Sequence, residues 1–152
     1  MAASDPMEAA MVPEINYWAV LIATASSMVV GSIWYAPKVF GTRWSRLANV
    51  DMGRPAASAT MAIITTVIVS FITAWVLAGA SAIAWHFYGG AFFWSAVVTA
   101  VTLWAGFTAA RFITHDAFEG RSTRLTTLNI AHELVTVVVM AVIIGVWPPA
   151  LG

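Results

Sequence analysis

Cysteine is absent from this chain of 152 residues and charge is sparse: seven Lys and Arg balance seven Asp and Glu, for a formal net charge of zero. Without cysteine there are no disulfides, no thiolate metal ligands and no cysteine nucleophile. Without a basic excess there is no electrostatic footprint for nucleic acid, and no acidic tail suggests a basic partner. The opening, Met1 to Pro13, holds Asp5 and Glu8 but no Lys or Arg. It lacks the basic start of a secretory signal, so the first apolar run is expected to stay as a membrane anchor.

What the chain does have is apolar length. Hydrophobic residues make up 61% of it and mean hydropathy is +0.84, too apolar for a soluble domain of this size. Four runs, about Ile15–Ala36, Ala57–Ala80, Ala91–Ile113 and Leu125–Trp147, each approach the roughly 20 residues that ~30 Å of hydrocarbon requires. Lipid offers no partner to a backbone N–H or C=O, so each run must be helical. The expected fold is an all-α integral membrane protein. It comprises an extramembrane tail over 1–14, a four-helix up-down bundle over 15–147, and a short C-terminal end over 148–152. Its first partner is the lipid bilayer.

The connections differ in charge. The first holds Lys38, Arg43, Arg46 and Arg54 against Asp51; the second, Ser81 to Gly90, has no Lys or Arg; the third holds Arg121 and Arg124. The positive-inside rule places connections one and three in the cytoplasm and both termini outside. In the first connection Pro37 can open a short amphipathic helix. There Phe40, Trp44 and Leu47 recur at i, i+4 and i+7, with Lys38, Arg43 and Arg46 on the wet side. It is expected to lie on the cytoplasmic surface, its aromatics and cations meeting anionic headgroups. Trp34 and Tyr35 fit an inner aromatic belt, and Trp85, Phe87, Tyr88 and Trp147 an outer one.

Small residues at four-residue spacing mark packing faces: Ala19, Ala23, Ser27 and Gly31 in the first helix; Ala62, Thr66, Ser70, Ala74 and Ala78 in the second; Thr102, Gly106 and Ala110 in the third. They let backbones approach where lipid removes the hydrophobic drive. Those on the first two helices together exceed what one partner face per helix needs, so a homo-oligomer or a larger membrane complex is expected.

One polar stripe stands out. Thr126, Asn129, His132, Glu133 and Thr136 share about a third of the circumference of the fourth helix at ~100° per residue. A lipid-facing carboxylate at the depth of Glu133 would cost several kcal/mol. Arg111, near the cytoplasmic end of the third helix, is the candidate counter-ion. The structural reading is a buried ion pair with interhelical hydrogen bonds at Asn129 and His132; the functional reading is a proton or solute path.

Other chemistries fit less well. His132-Glu133 opens like the zinc-protease HExxH, but Thr136 stands at the second ligand position. His86, His115 and His132 fall at different membrane depths, so no haem is expected. No serine lies in a nucleophile elbow. No cofactor, metal or enzymatic activity is expected.

Asn16 to Leu21 leading into Gly31-Ser32-Ile33-Trp34-Tyr35-Ala36-Pro37, then Phe40-Gly41 through Trp44, resembles the opening of the bacterial membrane family called domain of unknown function 1761. Trp104 to Phe107, Phe118 to Arg121, Leu128-Asn129 and Met140 to Gly145 are similar to its second half. That family more often has Gly-Tyr before a polar residue where this chain has Ala131-His132-Glu133. The resemblance implies a four-helix protein of the bacterial inner membrane and supplies no activity. Two function classes stand open: a non-catalytic accessory or scaffold bundle, which small size and the packing stripes favour, and a small proton-coupled transporter or channel using the polar stripe.

Overall fold

The computed structural model describes residues 13–51, 53 and 56–150, apart from the side chains of 56–58. The tail through residue 12, Arg54 and the last two residues, for which expectations were stated above, lie outside the described residues. Those described form helices and turns with no strand.

Helix α1, Tyr17–Trp34, starts at Asn16, whose side-chain oxygen accepts from the backbone N–H of Trp18 at 3.1 Å and Ala19 at 3.3 Å. The Asn16 amide donates to the Trp147 carbonyl at 3.2 Å, tying the start of the first helix to the end of the last. Ala36 is extended, as a residue before proline must be. A π-helical turn, Pro37–Gly41, then leads into α2, Thr42–Ala48, which ends where Asn49 turns left-handed at φ 52°.

Helix α3, Ala56–Tyr88, outruns the expected stop at Ala80. Nothing between Ser81 and Tyr88 breaks a helix: Ser81 and Ala82 are buried, and the Ser81 hydroxyl donates to the Leu77 carbonyl at 2.6 Å. The turn is confined to Gly89 and Gly90, at φ 69° and 82°, where the Trp85 indole donates to the Gly90 carbonyl at 2.8 Å. Helix α4, Phe92–Leu103, continues through a π-helical turn, Trp104–Ala109, into α5, Ala110–Phe118. Helix α6, Thr123–Val146, is capped by Ser122, whose hydroxyl accepts from the Leu125 N–H at 3.2 Å.

Among the described residues four helical stretches, Tyr17–Trp34, Ala59–Tyr88, Phe92–Phe118 and Thr123–Val146, are long and apolar enough to cross a membrane. Each packs on the next in order and the last on the first, with α3 and α6 touching only slightly across the diagonal. The core is rich in alanine: Ala19, Val20 and Ala23 from α1; Ala74, Leu77, Ala78 and Ala82 from α3; Phe92, Ala96 and Ala100 from α4. Val137, Met140, Ala141 and Ile144 of α6 complete it. Large apolar residues such as Met61, Ile64, Ile68, Ile83, Val98 and Phe107 face outward. Water disfavours that arrangement and hydrocarbon favours it, because close backbone approach, not apolar burial, holds such helices together.

The packing stripes hold in part. Ala19, Ala23, Ser27, Ser70 and Ala74 are buried, and Gly31 is half-buried. Thr66 is exposed, since α1 and α3 leave a cleft at its level, which it lines with Gly31. Gly106 and Thr102 are also exposed, and a Cβ added at Gly106 would meet nothing within 4 Å. The third helix packs instead through Phe92, Ala96 and Ala100, another i, i+4 row on a different face.

Backbones of two spanning helices come close at Gly145, where an added Cβ would lie 3.0 Å from Phe93 Cα and 3.3 Å from the Phe93 carbonyl oxygen. Gly145→Val should push α6 off α4 at a cost of about 1–3 kcal/mol. Thermal unfolding in mild detergent measures it; an unchanged midpoint would mean that the two helices do not meet there.

Candidate functional site

The polar stripe of α6 divides into three attachments. Thr126, near the start of α6, donates its hydroxyl to Asp116 Oδ2 at 2.7 Å; both residues are buried. Asn129 Oδ1 accepts from the Trp44 indole N–H at 3.2 Å. His132, Glu133 and Thr136 line a cleft between α1, α3 and α6.

Asp116 was not among the expected site residues. It sits beneath the α5–α6 turn, where the Arg121 backbone N–H donates to the Asp116 carbonyl at 2.9 Å and Gly120 turns at φ 67°. The Arg121 side chain lies 3.8 Å from Asp116 Oδ1 and 2.6 Å from Glu119 Oε2. An acid ten residues before a threonine, across a glycine turn, was the available signal.

Arg111 does not pair with Glu133. It is exposed on α5, and among the described residues the ion-pair partner of Glu133 is His132, with Nδ1 and Oε1 3.3 Å apart. Helix geometry explains the failure: Asp116, five residues on, faces α6, and five steps of ~100° put Arg111 about 140° around the helix from it.

The short helix α2 also departs from expectation. The apolar side of α2 and of the π-helical turn before it is turned to the bundle: Phe40 of the turn packs on Trp34 with ring centroids 4.5 Å apart, and Trp44 of α2 meets Tyr35 edge-on at 5.1 Å. Leu47 is half-buried, while Lys38, Arg43 and Arg46 remain exposed as expected of a wet face. Arg43 and Arg124 share a recess with Trp34, Phe40 and Leu128.

Two aromatics assigned to an interfacial belt instead enclose His132. Its ring lies 5.8 Å from that of Trp34 and 5.0 Å from that of Tyr35. The side chain of His132 is 13% exposed and that of Glu133 38%. Buried and without a hydrogen-bond partner among the described residues are His132 Nε2 and the Trp34 indole nitrogen. A further tryptophan, Trp104 in the second π-helical turn, donates to the Ile130 carbonyl of α6 at 2.9 Å.

The cleft encloses about 540 Å³. Helix α1 contributes Ser27, Gly31 and Ser32, with Tyr35 just beyond its end; α3 contributes Thr65, Thr66, Ser70 and Thr73; α6 contributes His132, Glu133 and Thr136. Counting ten residues from Thr123, Glu133 sits ~15 Å along a helix that needs ~30 Å to cross hydrocarbon. Among the described residues no three His, Asp or Glu side chains are placed to hold a metal ion.

An apolar exterior, a core rich in alanine and a polar recess near mid-helix, in described residues that are all helix and turn, suit a multi-pass type of membrane protein. The chain belongs to the family described as protein of unknown function, DUF1761, which matches it over residues 18–145, nearly the whole bundle with the cleft included. No curated protein and no solved structure matches it.

Proposed function

We propose that the protein is a small multi-pass transporter or channel of the bacterial inner membrane that takes a proton or a small polar solute into the cleft beside Glu133. In this reading it is not an enzyme. The helices run up-down-up-down, and the connections bearing Arg43, Arg46, Arg121 and Arg124 face the cytoplasm, by the charge rule. Both termini lie outside; a reporter that works only in the cytoplasm should be silent when fused to the C-terminal end, and activity there would reverse the topology.

The observation that carries the transport reading is the environment of Glu133. Its carboxylate opens on a cleft at mid-helix, paired among the described residues with a neutral-capable imidazole and no arginine. An intramembrane carboxylate that served only packing would be matched by a fixed cation, since unbalanced charge there costs about 3 kcal/mol or more. Tyr35, His132 and Glu133 are the titratable groups lining the cleft, and a carboxylate–imidazole pair can pass a proton.

The accessory or scaffold reading stands second. It is supported by the exposed small residues Ala62 on α3 and Gly106 in the second π-helical turn, which suit close approach of another helix, in a homo-oligomer or a larger membrane complex.

The deciding experiment uses protein reconstituted in liposomes under an imposed pH gradient. Wild type should carry proton flux above empty vesicles, Glu133→Gln should abolish it while remaining folded, and further replacement of Arg111 should restore nothing. A wild type that moves no protons would overturn the proton path, and one that moves neither protons nor a small polar solute would leave the scaffold reading in possession.

A further inference from the structure

The hydroxyls lining the cleft have little hydrogen to give. Ser27 donates to the Thr24 carbonyl and Ser32 to the Met28 carbonyl, both at 2.7 Å. Thr66 donates to the Ala62 carbonyl at 2.8 Å, and Thr73 to the Val69 carbonyl and Thr136 to the His132 carbonyl at 2.9 Å each. A hydroxyl carries one proton and two lone pairs, so each of these oxygens can still accept but no longer donate without breaking a bond to its own helix. An ionised Glu133 is acceptor-only. If His132 Nδ1–H faces Glu133 Oε1, the neutral ring has no further proton to give, and its bare Nε2 is buried. Thr65, Ser70 and Tyr35 keep rotatable hydroxyls able to act either way.

Among the described residues the lining is thus rich in acceptors, carries one carboxylate and includes no Lys or Arg. A solute that is itself an acceptor, such as a carboxylate or a phosphate, would find few donors and a like charge. A donor with positive charge meets acceptors on all three helices, beside the apolar side chains of Met28, Val69, Val137 and Met140, and the Tyr35 ring offers it an aromatic face.

Resting on the reading of the cleft as a binding site, we infer that its solute is a protonated primary or secondary amine, held by its N–H groups against Glu133 and the hydroxyl oxygens of α1 and α3. The N–H groups matter as much as the charge, because neutral oxygens recognise a cation at short range through its hydrogens.

The test is equilibrium binding of radiolabelled methylammonium to the purified full-length protein in mild detergent, with competitors that separate charge from hydrogen bonding. Propylammonium should displace the label. Tetramethylammonium, charged but without N–H, should be about tenfold weaker, a difference of the size of one charged hydrogen bond. Propanol and acetate should not compete. Glu133→Gln should weaken binding about tenfold or more. Thr66→Val, whose lost hydroxyl served its own helix, should weaken it several-fold without unfolding the protein. Competition by propanol or acetate equal to that of propylammonium would overturn the inference, as would full binding in Glu133→Gln or no saturable binding to folded wild type. The two proposals fail separately. Glu133-dependent proton flux without amine binding sinks this one and spares transport, whereas amine binding without flux sustains this one and sinks transport.

Discussion

Gly41→Ala should lower stability by about 3 kcal/mol, the upper end for forcing an extra carbon into packed structure, because the atoms it meets are backbone and cannot rotate away. The added Cβ would overlap the Tyr35 carbonyl oxygen and come within 2.8 Å of its carbon and 3.0 Å of the Ala36 carbonyl carbon. Conformation is not the reason: Gly41 sits at φ −57°, ψ −47°, which any residue adopts. Space is the reason, since the π-helical turn folds back until the Gly41 N–H reaches the Ala36 carbonyl at 3.0 Å. The effect should extend to the cleft, because Tyr35 packs on both Trp44 and His132. Gly106→Ala is the matched control, also in a π-helical turn but open on the outside, and should be neutral or slightly stabilising. Thermal unfolding of the two variants in detergent decides it; equal midpoints would show that the turn after α1 has room to spare.

Most of the fold was legible because hydrocarbon length and backbone satisfaction leave a run such as Leu125–Trp147 no alternative to a helix. Helix ends were legible only where a residue enforced them. Pro37 stops α1, whereas the α3 stop expected near Ala80 depended on reading Ser81 to Tyr88 as loop when only Gly89 and Gly90 break the helix. The site was less visible. Periodicity put His132 and Glu133 on one face, but their neighbours depend on how other helices are rotated. Choosing between Arg111 and Asp116 as the residue facing α6 required the phase of α5 after a π-helical turn, which composition does not reveal.

The aromatics pose a related difficulty. Trp34, Tyr35 and Trp44 have an apolar body and a polar tip, which suit a membrane interface and a protein interior equally. Their positions by the basic connection favoured the interface. Instead Trp44 finds Asn129, and Trp34 and Tyr35 find His132. Likewise Thr66 and Ser70 lie in one row of small residues, yet only Ser70 is covered, because the cleft intervenes at the level of Thr66.

The second large effect is expected at Thr126. Thr126→Val keeps the shape and removes only the hydroxyl, leaving the Asp116 carboxylate, 6% exposed, without its 2.7 Å donor. Stranding a buried charged acceptor costs about 2–3 kcal/mol, more than the bond's net contribution, because the lost hydration is not recovered. Arg121 cannot compensate: its Nε lies 3.8 Å away, the side chain is half exposed, and Glu119 holds it at 2.6 Å. Arg121→Ala should therefore cost under about 1 kcal/mol. In a double-mutant cycle, Thr126→Val in an Asp116→Ala background should lose most of its effect, since no stranded carboxylate remains. Equal costs for the Thr126 and Arg121 changes, or a full Thr126 cost in the Asp116→Ala background, would assign the turn's stability to surface charge instead. Thr126 and Glu133 are seven residues apart, two turns along nearly the same line of α6. The bond to Asp116 thus helps to set the rotation that brings Glu133 to the cleft, and Thr126→Val should also reduce Glu133-dependent proton flux in liposomes at temperatures where the protein remains folded.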